Sequence, residues 1–241
     1  DSGLDVATNT GDILTAVNNH AFFTPVDKPN QTHAEFTTYD ISCNEDFALH
    51  AKHHEWEKTF EFFRDHPVAM ASFATKYVNY DLLSYNPEGK VRIRFSLMPQ
   101  HKSDLHEPKT SKIIDRLKAI DKFIDAGYDV HVNYSPIIVY DGWLEDYKDL
   151  FNLVNTHVKN KDKVLSECIF LTHNLKKHTV NLSKHPETEV DLWVLTKQEV
   201  KRSQYGGENI RYKLGMKSEY IKQFKELHNQ IIPWNTIRYI F

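Results

Sequence analysis

Six polar residues alternate with apolar ones in two short runs of this chain, and their types suit ligand binding. In the first run Arg92, Arg94 and Ser96 lie between Val91, Ile93, Phe95 and Leu97. In the second, His131, Asn133 and Ser135 lie between Val130, Val132 and Tyr134. A period of two marks strands. Parallel sheets are normally covered on both faces, so the polar set points into a lumen that takes a ligand. A flat sheet with one solvated face is the alternative. A second group, Cys43-Asn44-Glu45-Asp46, follows a predicted strand at the end where βα barrels collect their chemistry. A third, His50, His53 and His54, has spacing that would present two imidazoles to a metal. No third ligand is coupled to that pair, and a solvated helix face is the preferred reading.

These groups need elements to position them. Thr110 and Ser111 suit a helix start, and Ile113, Leu117, Ile120 and Ile124 form one apolar stripe. Gly127 stands where a helix C-terminus tolerates positive φ. Strand, helix and strand within 91–143 make a βαβ unit, which implies parallel strands. Upstream, the sequence predicts a helix over 8–22, a loop over 24–33, a strand over 35–43, a long helix over 46–65 ended by Pro67, and a strand over 68–75 closing on Lys76. Downstream come a helix after Trp143, a strand over 165–172, a final helix over 218–230 and a strand over 236–241. Alternating strands and helices argue an α/β fold with a parallel sheet.

From about Leu192 the rhythm changes. Gly206-Gly207 separates two mixed apolar and basic segments, as at a hairpin tip. Lys197, Lys201, Arg202, Arg211, Lys213 and Lys217 interleave with Tyr205 and Tyr212. Cations beside aromatics suit phosphate contact with base stacking; a solvated surface hairpin has the same composition. The expected domains are a barrel over 1–190 and a hairpin-helix extension over 191–241.

The whole chain, 241 residues with formal net charge -3, is long enough for a sizeable core. Near-neutral charge means that a nucleic-acid contact must come from a local basic patch. Two cysteines, Cys43 and Cys168, provide no disulfide framework, so a reducing cytoplasm is expected. No apolar run reaches membrane-spanning length, and no membrane partner is expected.

The order of Phe95-Ser96, Glu107-Pro108, Thr110-Ser111, Arg116-Leu117, Ala126-Gly127-Tyr128, Ser135-Pro136-Ile137 and Gly142-Trp143 resembles that of the spore photoproduct lyase family, within the radical S-adenosylmethionine enzymes. The resemblance implies a partial (βα)6 TIM-like barrel with a C-terminal hairpin on DNA. It also implies a DNA repair lyase that reverses a thymine dimer through a 5′-deoxyadenosyl radical. S-adenosylmethionine, a 4Fe-4S cluster and an electron donor for that cluster are the implied cofactors and partner. Cys43 resembles the family's hydrogen-donor cysteine; Cys168, mid-strand, reads as a buried small residue. Lys76 resembles a lysine near the S-adenosylmethionine carboxylate, and Ser96 a serine on that cofactor. Ser135 stands where the family commonly has alanine, and Glu45 where it has a small hydroxyl residue; both are expected beside the cofactor. Tyr205 resembles a tyrosine touching the lesion strand, with Arg202, Arg211 and Lys213 as further nucleic-acid contacts. Gln204 replaces an arginine.

The largest departure is an absence. The family motif C-x3-C-x2-C supplies three thiolates to a cluster, and this sequence has no such triplet. The chain starts at Asp1, and the expectation is that the cluster ligands lie upstream of it, so that the bare chain is inactive. Two other readings compete: a non-catalytic nucleic-acid-binding barrel that has lost its cluster, and a metal-dependent hydrolase using His50 and His54.

Overall fold

The computed structural model describes residues 8–23, 33–42, 45–194, 196–202 and 206–241. They form two compact units, Asp1–Ser96 with Lys118–His131, and Leu97–Leu117 with Val132–Phe241. In chain order the elements begin with helix α1 (Thr10–Phe23), strand β1 (Thr37–Asp40) and helices α2 (Phe47–His50) and α3 (Trp56–Asp65). Strands β2 (Ala69–Thr75) and β3 (Val91–Ser96), helices α4 (Gln100–His106) and α5 (Ile113–Asp125), and strand β4 (Asp129–Ile137) follow. Next are helix α6 (Trp143–His157), strands β5 (Leu165–Phe170) and β6 (Thr172–Asn174), and helices α7 (Leu175–Lys184) and α8 (Pro186–Leu192). Strands β7 (Gln198–Arg202) and β8 (Glu208–Tyr212), helix α9 (Leu214–Ile231) and strand β9 (Thr236–Ile240) complete the set. The strand order is β1-β2-β3-β4-β5-β9 in a six-stranded sheet and β6-β8-β7 in a three-stranded one.

In the first unit β1, β2 and β3 pair in parallel, with Ser72 of β2 beside both Asp40 and Arg92. Alternate residues share a face. Phe73, Ile93 and Phe95 therefore form one side, where Phe47 packs on Phe73 with ring centroids 5.0 Å apart and Phe123 on Phe95 at 5.5 Å. Phe60 and Phe63 of α3 and Phe73 are fully buried, so this aromatic layer is the unit's core. Gly127 has φ +93 and a Cβ there would meet the Asn86 side chain at 1.9 Å, which explains a glycine at the end of α5.

In the second unit β5 pairs in parallel with β9, while β8 pairs antiparallel with β6 and β7. Trp143, Tyr147 and Phe151 of α6 pack against Phe224 of α9. The expected hairpin is present as β7 and β8, and Gly206 between them has φ +84.

Two expectations need correction. The helix expected over 46–65 is broken: α2 ends at His50, a 3-10 turn covers Ala51–His53, and α3 starts at Trp56. The first strand is shorter than 35–43, covering Thr37–Asp40. In addition, α7 and α8 occupy a stretch in which the sequence pattern predicts no element. Among the described residues, no helix is long and apolar enough to cross a membrane.

Candidate functional site

The polar side of β1, β2 and β3 is built by the same alternation that builds the core. Ser72 and Ala74 of β2 are small, and Arg94 reaches over this strand to Asp40 of β1 at 2.6 Å. Arg92, only 3% exposed, donates to Asp129 at 2.6 Å, and His131 lies 3.2 Å from the other oxygen of the same carboxylate. Burial opposes ionisation of Asp129, but the His131 hydrogen bond and charge, with Arg92, outweigh it and hold the carboxyl at about 2. The face is charged and internally paired, buried at Arg92 and more open at Arg94 and Asp40.

At the C-terminal ends of these strands lie the residues singled out by sequence. Lys76 directly follows β2, and Ser96, the last residue of β3, shares the parity of Arg92 and Arg94. The register ends at Thr75↔Phe95, so Lys76 and Ser96 each follow the last paired residue of their strand. Ser96 is buried and Lys76 half-buried. Asp46 organises the ends: its side chain caps α2 by accepting from Leu49 N at 3.2 Å. It also accepts from Thr75 Oγ1 and from Lys76 N, each at 2.7 Å. One carboxylate thus ties the loop after β1 to the end of β2.

Glu45 lies beside that bracket. Its Oε1 is 2.9 Å from His54 Nε2, and its Oε2 is buried with no hydrogen-bond partner among the described residues. The His54 ring stacks on Phe47 at 5.2 Å. His54 therefore faces inward, and the break after α2 removes the continuous helix on which the three histidines would share a face. Among the described residues no group of three His, Cys, Asp or Glu is placed to hold a metal. A cavity of about 430 Å³ runs beside Glu45 and His54, with Leu14, Val17, Phe47 and Phe63 in its wall.

Cys43 lies outside the described residues, as do Gln204 and Tyr205. Cys168 is buried in β5, and burial pushes its thiol up. Ser135, in the second unit, is half-buried on β4. Arg202 is exposed at the end of β7; Arg211 of β8 pairs with Glu199 at 3.1 Å, and Lys213 donates to Thr196 O at 2.9 Å. The base of the hairpin is tied down, because the buried Tyr212 hydroxyl accepts from Val139 N at 2.8 Å. Asp46, Arg94 and His54 are the residues whose roles the sequence pattern missed. An acidic residue immediately before a helix was a usable signal for Asp46.

S-adenosylmethionine carries a carboxylate and cationic centres. A lysine, a buried serine and a buried carboxylate oxygen with no partner among the described residues suit these. A 4Fe-4S cluster needs three thiolates, and two cysteines do not supply them.

A family model described as spore photoproduct lyase matches residues 7–241. The spore photoproduct lyase of Bacillus subtilis (strain 168) is 28% identical over 221 residues, covering 90% of this chain and 61% of that protein. The spore photoproduct lyase of Geobacillus sp. (strain Y412MC61) is 30% identical over 178 residues, covering 71% of this chain and 51% of that protein. The chain thus spans between about half and three fifths of the length of these two relatives. A solved structure of a spore photoproduct lyase double mutant with bound AdoMet and dinucleoside spore photoproduct matches with a TM-score of 0.85 and 25% identity. That match covers 98% of this chain and 68% of the other. The expected α/β fold, a partial barrel of the radical S-adenosylmethionine type, is the fold of that structure.

Proposed function

The chain belongs to the spore photoproduct lyase family, and on that premise we propose that it serves DNA repair of the spore photoproduct type, binding S-adenosylmethionine and a thymine-dimer lesion. The observation that supports this reading is the parallel register of β2 and β3, which runs to Thr75↔Phe95, the positions immediately before Lys76 and Ser96. Lys76 would take the carboxylate of S-adenosylmethionine, the Ser96 hydroxyl a second polar group, and the orphaned Glu45 oxygen its ammonium. Asp46 accepts from Lys76 N and so fixes the backbone from which that side chain would reach. When bound, S-adenosylmethionine supplies the hydrogen-abstracting group of the family's chemistry. Cys43 is proposed as the thiol that returns a hydrogen atom to the lesion. Ser135, from its own unit, rests on the resemblance as a further cofactor contact.

The two cysteines of this sequence cannot hold a cluster, so no step is assigned to one here. On the DNA side Arg202, Arg211, Lys213 and Tyr205 are the proposed hairpin contacts. Arg202 is the exposed member, whereas Arg211 and Lys213 already have partners at Glu199 and Thr196. Phosphate contact by either of those two requires exchange of that partner.

Equilibrium dialysis with labelled S-adenosylmethionine tests the cofactor site directly. Lys76→Ala removes a charge-assisted contact of roughly 1.5–3 kcal/mol, so binding weakens by about tenfold or more. Equal binding by wild type and Lys76→Ala would remove the lysine from the site and the reading with it.

A further inference from the structure

We propose that the exposed face of α7 is a second DNA-backbone contact, distinct from the hairpin. The inference rests on the hairpin reading above and extends its surface. Residues 172–185 contain Lys176, Lys177 and Lys184 and three histidines, with no Asp or Glu. All three lysines are exposed, and none forms an ion pair among the described residues. Elsewhere in the same unit, Lys112 and Lys148 face Asp104 at 2.6 Å and Glu145 at 2.7 Å.

The acids that could neutralise α7 are turned inward. Glu189 of α8 is 3% exposed and lies 2.6 Å from His178 Nδ1. Asp191 of α8 accepts from Lys102 Nζ at 2.8 and 2.6 Å and lies 2.8 Å from His106. Only Glu187 of α8 stays exposed, and it pairs with none of the three lysines. The helix therefore keeps its positive charge outward while the fold consumes the adjacent negative charge.

The spacing suits a polyanion. Lys177 and Lys184 are two helical turns apart on one side, about 10 Å at 1.5 Å per residue, and Lys176 flanks them. Duplex DNA carries one charge per about 1.7 Å of axis, so this face spans several phosphates. Its position selects DNA over an acidic protein. Strand β6 leads directly into α7, and β6 and β7 flank β8 in one three-stranded sheet. That sheet carries the exposed Lys201 and Arg202 on β7. A backbone held at the hairpin and at α7 is held at two separated points, which fixes its direction as well as its position.

The test compares the salt dependence of binding to a short labelled DNA duplex for the purified chain and two variants. Lys176→Ala/Lys177→Ala/Lys184→Ala should lower the slope of log K against log salt by about 0.9 for each lost contact, hence by roughly two to three. The triple Lys→Arg variant should keep the slope. Unchanged thermal melting shows that exposed lysines, not folding, were altered. The hairpin variant Lys201→Ala/Arg202→Ala separates the two claims. If it loses slope while the α7 variant keeps it, the α7 contact is wrong and the hairpin reading stands. If the α7 variant alone loses slope, the α7 contact stands and the hairpin reading falls. If neither changes, both fail.

Discussion

The polar face of β1, β2 and β3 and the outer face of α7 are both rich in cations, but the fold treats them in opposite ways. On the strands, Arg92 and Arg94 are each closed by a carboxylate, Asp129 and Asp40, at 2.6 Å. On α7, the lysines are exposed while the nearby carboxylates Glu189 and Asp191 are taken up internally. Charge that is buried must be paired, because desolvation is expensive; charge that is hydrated can wait for a polyanion. The first arrangement stabilises a rigid platform at whose edge Lys76 and Ser96 stand. The second leaves binding potential at a surface and contributes little to stability.

The contrast can be broken most strongly at Arg92. Arg92→Ala should leave the half-buried Asp129 with His131 as its remaining cationic partner and cost about 1.5–3 kcal/mol, seen as a lowered denaturation midpoint. By comparison, the three α7 lysine-to-alanine changes should stay within about 0.5 kcal/mol each. A midpoint for Arg92→Ala equal to wild type would refute the platform role. Acid titration provides a second, smaller effect. Asp129 titrates at about 2 in the folded protein and near 3.9 when unfolded. Its stabilisation is therefore complete above the unfolded value and lost as pH falls through the folded one. Chemical denaturation between those limits should show a loss of up to about 2 kcal/mol, absent in Asp129→Asn. The smallest of the three concerns Asp46. Asp46→Ala removes a helix cap worth roughly 1 kcal/mol and frees Lys76 N. A variant that melts slightly early but binds S-adenosylmethionine as well as wild type would show that the bracket does not aim Lys76.

Strand parity was legible from local sequence, because β3 and β4 alternate cleanly and Gly127 marks the end of α5 at positive φ. The hairpin was legible from its glycines. The end of β1 was not: its pairing partner, Ala69–Ser72, lies some thirty residues on, and pairing trims the strand. The histidine run looked helical because its spacing is helical. The stacking of His54 on Phe47 and its pairing with Glu45 depend on a turn that periodicity does not reveal. Asp46 was visible as a residue but not as a bracket, since Thr75 and Lys76 are distant in sequence. Pro186 divides 174–192 into two short helices, and the pairing of Glu189 and Asp191 with His178 and Lys102 depends on contacts that local sequence does not reveal.

The Tyr212 hydroxyl, held by Val139 N at 2.8 Å, has a mechanical consequence. The hairpin is a lever, and this buried contact is its fulcrum. It joins the last residue of β8 to the backbone two residues past β4. Swinging the hairpin free would leave a buried amide unpaired, which costs about 1–3 kcal/mol. Tyr212→Phe would remove this tie between the end of β8 and the segment that follows β4.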